Sequence, residues 1–184
     1  MIILPAESEL DSGWVSRLES HYGLYFDSIY THIYEQWSED ENSQINLLSD
    51  EEKLAQHLVA LPPETKVVVF AKYAGAILAI LSGQTGALKA EHCFFFGPSF
   101  DWANRHVFSG NFGLIEKFNL PTTIFHSQYD LVSSYTICNK TITEHLNYIP
   151  IVVTPGYEFT YDNYDSFDET VLPILKNLGF TNEA

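Results

Sequence analysis

Lys66 to Leu81 reads KVVVFAKYAGAILAIL, and the fold follows from how this stretch is read. Lys66 to Phe70 is a run of β-branched and apolar residues, the composition of a strand buried on both faces. Gly75 to Leu81 is small and apolar all round, the composition of a helix with no solvent-facing side. Between them lies Ala71-Lys72-Tyr73-Ala74-Gly75, too short for anything but a sharp strand-to-helix turn. Strand and helix pass very close at such a turn, so Ala71 and Gly75 are read as steric requirements and Tyr73 as the residue at its apex.

Outward from this unit, strands and helices alternate. Ile2-Ile3-Leu4 is a short strand ended by Pro5, followed by a helix from about Asp11 with Trp14, Val15, Leu18 and Tyr22 on one face. Tyr25 to Tyr34 alternates aromatic and polar residues and reads as a second strand. Ser49-Asp50-Glu51-Glu52 starts a helix with Leu54, His57, Leu58 and Leu61 inward, its early acids favoured by the helix dipole. After the central unit come strands at Cys93 to Phe96, Thr122 to Phe125 and Ile149 to Thr154. Two short helical pieces lie in Asp101 to Asn119, and one helix lies in Asp130 to Tyr148. A last helix from about Ser166 contains Pro173, which is expected to kink it or delay its start. Continuous apolar strands separated by helices predict an α/β fold of three layers, a mostly parallel central sheet of about six strands with helices on both faces, in one domain over 1–184.

Composition narrows the function. The chain has 184 residues, 46% hydrophobic and 18% charged, which suits a packed core rather than a disordered chain. Its 24 acids against 9 bases give a formal net charge of −15, so nucleic acid and anionic membrane surfaces are not expected partners. An acidic stretch, Glu35 to Glu52, reads as a solvated connection. Two scattered cysteines, Cys93 and Cys138, no signal peptide and no spanning segment predict a reduced, cytoplasmic protein. No metal or cofactor is expected. Gly83-Gln84-Thr85-Gly86 lacks the Lys of a phosphate loop, and the acids Asp162, Asp165, Asp168 and Glu169 have the spacing of a charged helix start rather than of a Ca²⁺ loop.

Sites in open parallel sheets form at the carboxyl ends of strands, here Ala71 to Gly75, His126 to Asp130 and Pro155 to Tyr161. With the turn at Tyr73, the segment Pro121-TTIFHSQY-Asp130 and a final strand leading into GYEFTY, the chain resembles the small lidless α/β-hydrolases of the serine-hydrolase type, including the retinoblastoma-binding-protein-9-like group. In that family the turn is a nucleophile elbow, small-x-Ser-x-Gly, followed in chain order by an acid and a histidine. The resemblance therefore implies Tyr73 at the nucleophile position and Asp130 at the acid position. It places Phe159 at the histidine position, or Glu158 or Thr160 with the register shifted by one. The oxyanion-hole positions would be the amide of Ala74 and one from the Ala6–Glu7 loop, where the Glu7 charge would oppose a developing anion.

The departures fall on the chemistry. Imidazole works as the base because it titrates near neutrality, Phe accepts no proton, and a phenol near pKa 10 is a poor acyl-transfer nucleophile without a base. No histidine follows His145. His126 is the alternative base, four residues before Asp130, and Lys72 could lower a Tyr73 pKa by its charge. The reading is a non-catalytic hydrolase-fold protein that binds a small molecule or a protein. Its rival is an esterase-like enzyme centred on Tyr73, His126 and Asp130.

Overall fold

A computed structural model describes residues 1–6, 11–34, 47–155 and 160–181. Its strands are β1 (Ile2–Leu4), β2 (Tyr30–Thr31), β3 (Val68–Lys72), β4 (His92–Phe96), β5 (Thr122–Ser127) and β6 (Ile151–Thr154). They form one six-stranded sheet in the order β2-β1-β3-β4-β5-β6. Every adjacent pair is parallel, with Leu4 opposite Ala71 and Lys72 opposite Phe96. The helices are α1 (Ser12–Tyr22), α2 (Leu47–Val59), α3 (Ala74–Thr85), α4 (Phe100–His106), α5 (Tyr135–His145) and α6 (Tyr164–Leu178).

Alternation along the strands sorts side chains into two cores. Ile3, Val68, Phe70, Phe94, Phe96 and Phe125 meet α1 and α6. Leu4, Val69, Ala71, Cys93, Phe95 and Ile124 meet α2 to α5. This is the three-layer architecture expected, with the sheet parallel throughout. α3 is buried on almost every side, which explains why its sequence has no polar stripe. It stops where Gly86 takes a left-handed φ of 76°, a conformation cheap only for glycine. Among the described residues, no helix is long and apolar enough to cross a membrane.

Several boundaries differ from the sequence reading. The second strand is only Tyr30–Thr31, because Gly23–Tyr25 turns as a 3₁₀ helix and β2 borders the sheet at its edge. Aromatic alternation there serves packing beside the sheet: Phe26 lies 6.3 Å from Phe70 and 4.9 Å from Phe180. α6 begins at Tyr164 and runs through Pro173. The proline sits on the exposed side, and the residue whose carbonyl it leaves unbonded, Glu169, is also exposed, so water can satisfy that carbonyl. The acidic connection from Glu35, with Trp37, lies outside the described residues up to 46.

The strand order reverses between β1 and β3, and crevices at such switch points lie beyond the strands' carboxyl ends. α3 is seated against this crevice by Gly75. A Cβ there would lie 2.0 Å from the Leu4 carbonyl oxygen and 2.6 Å from that of Pro5. Both are backbone atoms that cannot swing aside. Gly75→Ala is therefore expected to cost at least about 3 kcal/mol, the upper end for overpacking, read as a lowered urea midpoint. A midpoint unchanged from the parent would contradict this close approach.

Candidate functional site

The turn after β3 has the geometry expected of an elbow. Tyr73 adopts φ 49° and ψ −112°, a conformation costly for a bulky residue. Its backbone is over-determined: its N–H donates to the Phe96 carbonyl at 3.0 Å, and its carbonyl accepts from the amides of Ala76 at 3.2 Å and Ser99 at 3.4 Å. The reversal presents the Tyr73 side chain beyond the carboxyl edge of the sheet, although only 5% of the residue remains exposed. Ala74, the first residue of α3, follows directly, so its amide is one of the donors that a helix start leaves without an intrahelical partner.

Asp130 comes to the same place from the loop after β5. One carboxylate oxygen, Oδ1, accepts from the amides of Val132 at 2.7 Å and Ser133 at 3.0 Å. The other, Oδ2, accepts from the Tyr161 hydroxyl at 2.6 Å. The Tyr73 hydroxyl approaches both oxygens, at 3.4 and 3.3 Å. Tyr73 and Asp130 are thus brought together.

Tyr161 is the residue that sequence reasoning missed. It is fully buried and has a φ of 53°. Its hydroxyl accepts from the Ser127 amide at 3.2 Å while donating to Asp130, and its carbonyl accepts from the Trp14 indole at 2.9 Å. Its ring meets that of Tyr73 edge-on at 6.0 Å. Gly97, at φ 55°, makes the room: a Cβ there would lie 2.8 Å from the Tyr161 hydroxyl and 2.9 Å from Asp130 Oδ2. Burial first, then the charge of Asp130 and the hydrogen bond to it, push the Tyr161 phenol well above its ordinary pKa, so it stays protonated. The sequence signal was faint, since Tyr161 simply ends the GYEFTY segment. Phe159 and Glu158 lie outside the described residues, and the Thr160 hydroxyl is directed to Asp162 at 2.8 Å.

The other side of the turn holds a buried ion pair. Lys72 Nζ donates to Asp11 Oδ1 at 2.6 Å and lies 5.4 Å from the Trp14 ring centre and 5.2 Å from that of Tyr73. Asp11 Oδ2 accepts the Ala6 amide at 2.8 Å. An oxyanion-hole donor expected from the Ala6–Glu7 loop is therefore engaged by a carboxylate at Ala6, while Glu7 lies outside the described residues. His126 points its nitrogens elsewhere. Nδ1 donates to the Ser127 carbonyl at 2.9 Å and Nε2 lies 3.4 Å from the Ser133 hydroxyl, which itself donates to the Pro98 carbonyl. Burial lowers the His126 pKa.

Two outcomes test this arrangement. Tyr161→Phe keeps the ring but removes the hydroxyl that accepts from the Ser127 amide and donates to the Asp130 carboxylate, so a loss of about 1–3 kcal/mol is expected in urea unfolding. Tyr161, Tyr22 and Tyr164 are all raised above the ordinary phenol value, chiefly by burial. Unfolded phenols release protons near pH 10 while these retain them, so the folded state binds more protons there. Their stabilisation is complete below about pH 10 and lost as pH rises beyond it. Urea midpoints measured from pH 8 to 11 should fall at the alkaline end, and fall less steeply in Tyr161→Phe.

No protein-family model matches the sequence, and no curated protein matches it. Solved structures do match in shape. A sugar hydrolase (YeeB) from Lactococcus lactis superposes with a TM-score of 0.69 at 14% identity, covering 96% of this chain and 88% of its own. The alpha/beta hydrolase domain-containing protein 10 from mouse gives 0.69 at 8% identity, covering 97% and 88%. An alpha/beta hydrolase enzyme, MGS-MChE2, from a lagoon-sediment metagenome gives 0.66 at 12%, covering 97% and 91%. At such identities the likeness concerns architecture, and on that ground the chain has the α/β-hydrolase fold.

Proposed function

We propose that this chain is a hydrolase-fold protein that acts by binding a protein or small molecule and does not catalyse acyl transfer. The observation that carries this reading is the sharing of one carboxylate by two phenols, Tyr73 and Tyr161, at the apex of the elbow. A catalytic centre of this fold needs a nucleophile, a base that takes its proton near neutrality, and an acid that orients the base. Among the described residues around Tyr73, the groups that meet Asp130 are all proton donors. A carboxylate is a far weaker base than a phenolate, so moving a proton from a phenol to a carboxylate runs strongly uphill. The Ala6 amide already donates to the Asp11 carboxylate, so it is not free to donate to an oxyanion, which disfavours the same chemistry.

The rival reading, an esterase-like enzyme with a Tyr73 nucleophile, draws on the 3.3 Å approach of its hydroxyl to Asp130. It needs a base, and the His126 nitrogens are directed to Ser127 and Ser133 instead. Initial rates on acetyl and butyryl nitrophenyl esters separate the two readings. The parent protein is expected to match buffer, and Tyr73→Phe to match the parent. Robust turnover that disappears in Tyr73→Phe would overturn the binding reading.

A second experiment asks where the missing base belonged. Tyr73→Ser with Tyr161→His places an imidazole where the structure brings a side chain between the elbow and Asp130. Tyr73→Ser with Phe159→His follows the register that the motif implied. The first pair is expected to gain the higher esterase rate, and a higher rate from the second would favour Phe159 as the histidine position.

A further inference from the structure

The two edges of the sheet are unlike. β2 at one end is only two residues long. β6 at the other runs Ile151–Thr154, with no strand beyond it among the described residues. The Ile124 N–H donates to the Pro150 carbonyl, and in a parallel ladder the Ile124 carbonyl then accepts from the Val152 amide. Pro150, Val152 and Thr154 therefore turn their backbone groups toward β5, whereas the N–H and C=O of Ile151 and Val153 point away from the sheet. Free edges are commonly blunted by a charge, a proline or a bulge within the strand. Ile-Val-Val-Thr contains no charge or proline and pairs with β5 in unbroken register; Pro150 and Pro155 stand just outside it.

Two side-chain features accompany this outward row. Val153 is apolar yet 43% exposed. On the same face of the strand, two residues back, Ile151 borders a cavity of about 300 Å³ whose other wall is α5 and the turn after it, with Asn139, Ile142, Thr143 and Asn147. The protruding side chain and the cavity are self-complementary when a second β6 runs antiparallel with Val152 opposite Val152. Ile151 then lies opposite the Val153 of the second copy, and these two residues exchange both N–H···O bonds. Directly opposite side chains share a face, so that Val153 lies over the cavity beside Ile151. The two-fold axis repeats the contact in the other direction. The pairing ends at Pro155, which has no N–H to donate.

The geometry points to β6 as a homodimer interface, at which a second copy of this chain continues the six-stranded sheet across a two-fold axis. Charge selects the occupant. The chain carries a net −15, so much of its surface repels a copy of itself. Leu146 to Tyr157 contains no acid and no base, and the α5 residues that border the cavity, Tyr135, Asn139 and Thr143, are uncharged. A basic partner finds nothing to pair with on this strip, whereas a second copy meets no like charge along it and supplies both the matching backbone row and the side chain that fills the cavity.

Sedimentation velocity of the full chain, with light scattering after size exclusion, tests this interface. The parent is expected to have twice the mass of one chain. Val153→Lys and Val153→Pro are each expected to sediment as monomers. The lysine brings a charge to the cavity of the second copy; the proline removes an N–H that does not bond to β5, so the strand keeps its own ladder. Circular dichroism reads whether each variant keeps the parent fold, and the exposed Val153→Lys decides the matter even where the proline variant folds poorly. Hydrogen exchange is the second readout: the Ile151 and Val153 amides should be protected in the parent and exchange fast in Val153→Lys. A monomeric parent, or a folded Val153→Lys that stays dimeric, would overturn the interface.

Discussion

The close approach of α3 to β1 is the constraint on which the rest of the molecule depends. Gly75 lies where any side chain would strike the Leu4 carbonyl, so the helix can start only by folding sharply back over the β1–α1 loop. That reversal forces Tyr73 into a left-handed conformation that its neighbours' hydrogen bonds maintain. It also brings the Tyr73 hydroxyl to the carboxylate that follows β5. Backbone strain of this kind costs roughly 1–3 kcal/mol and persists only when its surroundings enforce it. Here they do, independently of which side chain stands at the apex.

The fill of the site follows from that geometry. Once the apex residue is a phenol, its ring needs a partner and its hydroxyl an acceptor. Tyr161 supplies the edge-on ring, and Asp130 accepts both hydroxyls. Gly97 leaves the space, and the amides of Val132 and Ser133 hold the other carboxylate oxygen. On the far side, Lys72 and Asp11 neutralise one another inside the protein while Asp11 captures the Ala6 amide. A buried pair of this sort adds little net stability against an apolar alternative, but either member left alone would be costly. Its effect is to fasten the loop after β1 to the end of β3.

The fold was legible because its signals are local. Val67 to Phe70 and Cys93 to Phe96 are apolar without alternation, and that alone requires helices on both faces of the sheet. The small residues Ala71 and Gly75 marked the turn. The site was legible in part. Tyr73 and Asp130 stood out because each ends or follows a strand, whereas nothing in the GYEFTY segment singles out Tyr161 as the residue that turns inward. Phe159 follows from motif register and lies outside the described residues, and a register argument cannot see that the Tyr161 hydroxyl bridges the Ser127 amide and Asp130. The Asp11–Lys72 pair was hidden for the same reason, as it joins residues far apart in the chain.

The central proposal is that the elbow keeps its geometry without serving as a nucleophile, the His126 nitrogens being directed to Ser127 and Ser133 rather than to Tyr73. Intact-mass spectrometry after prolonged incubation with a fluorophosphonate reports this directly, since an activated hydroxyl at the apex would be phosphonylated. The account predicts an unchanged mass at neutral pH. A single adduct mapped by peptide sequencing to Tyr73 would contradict it.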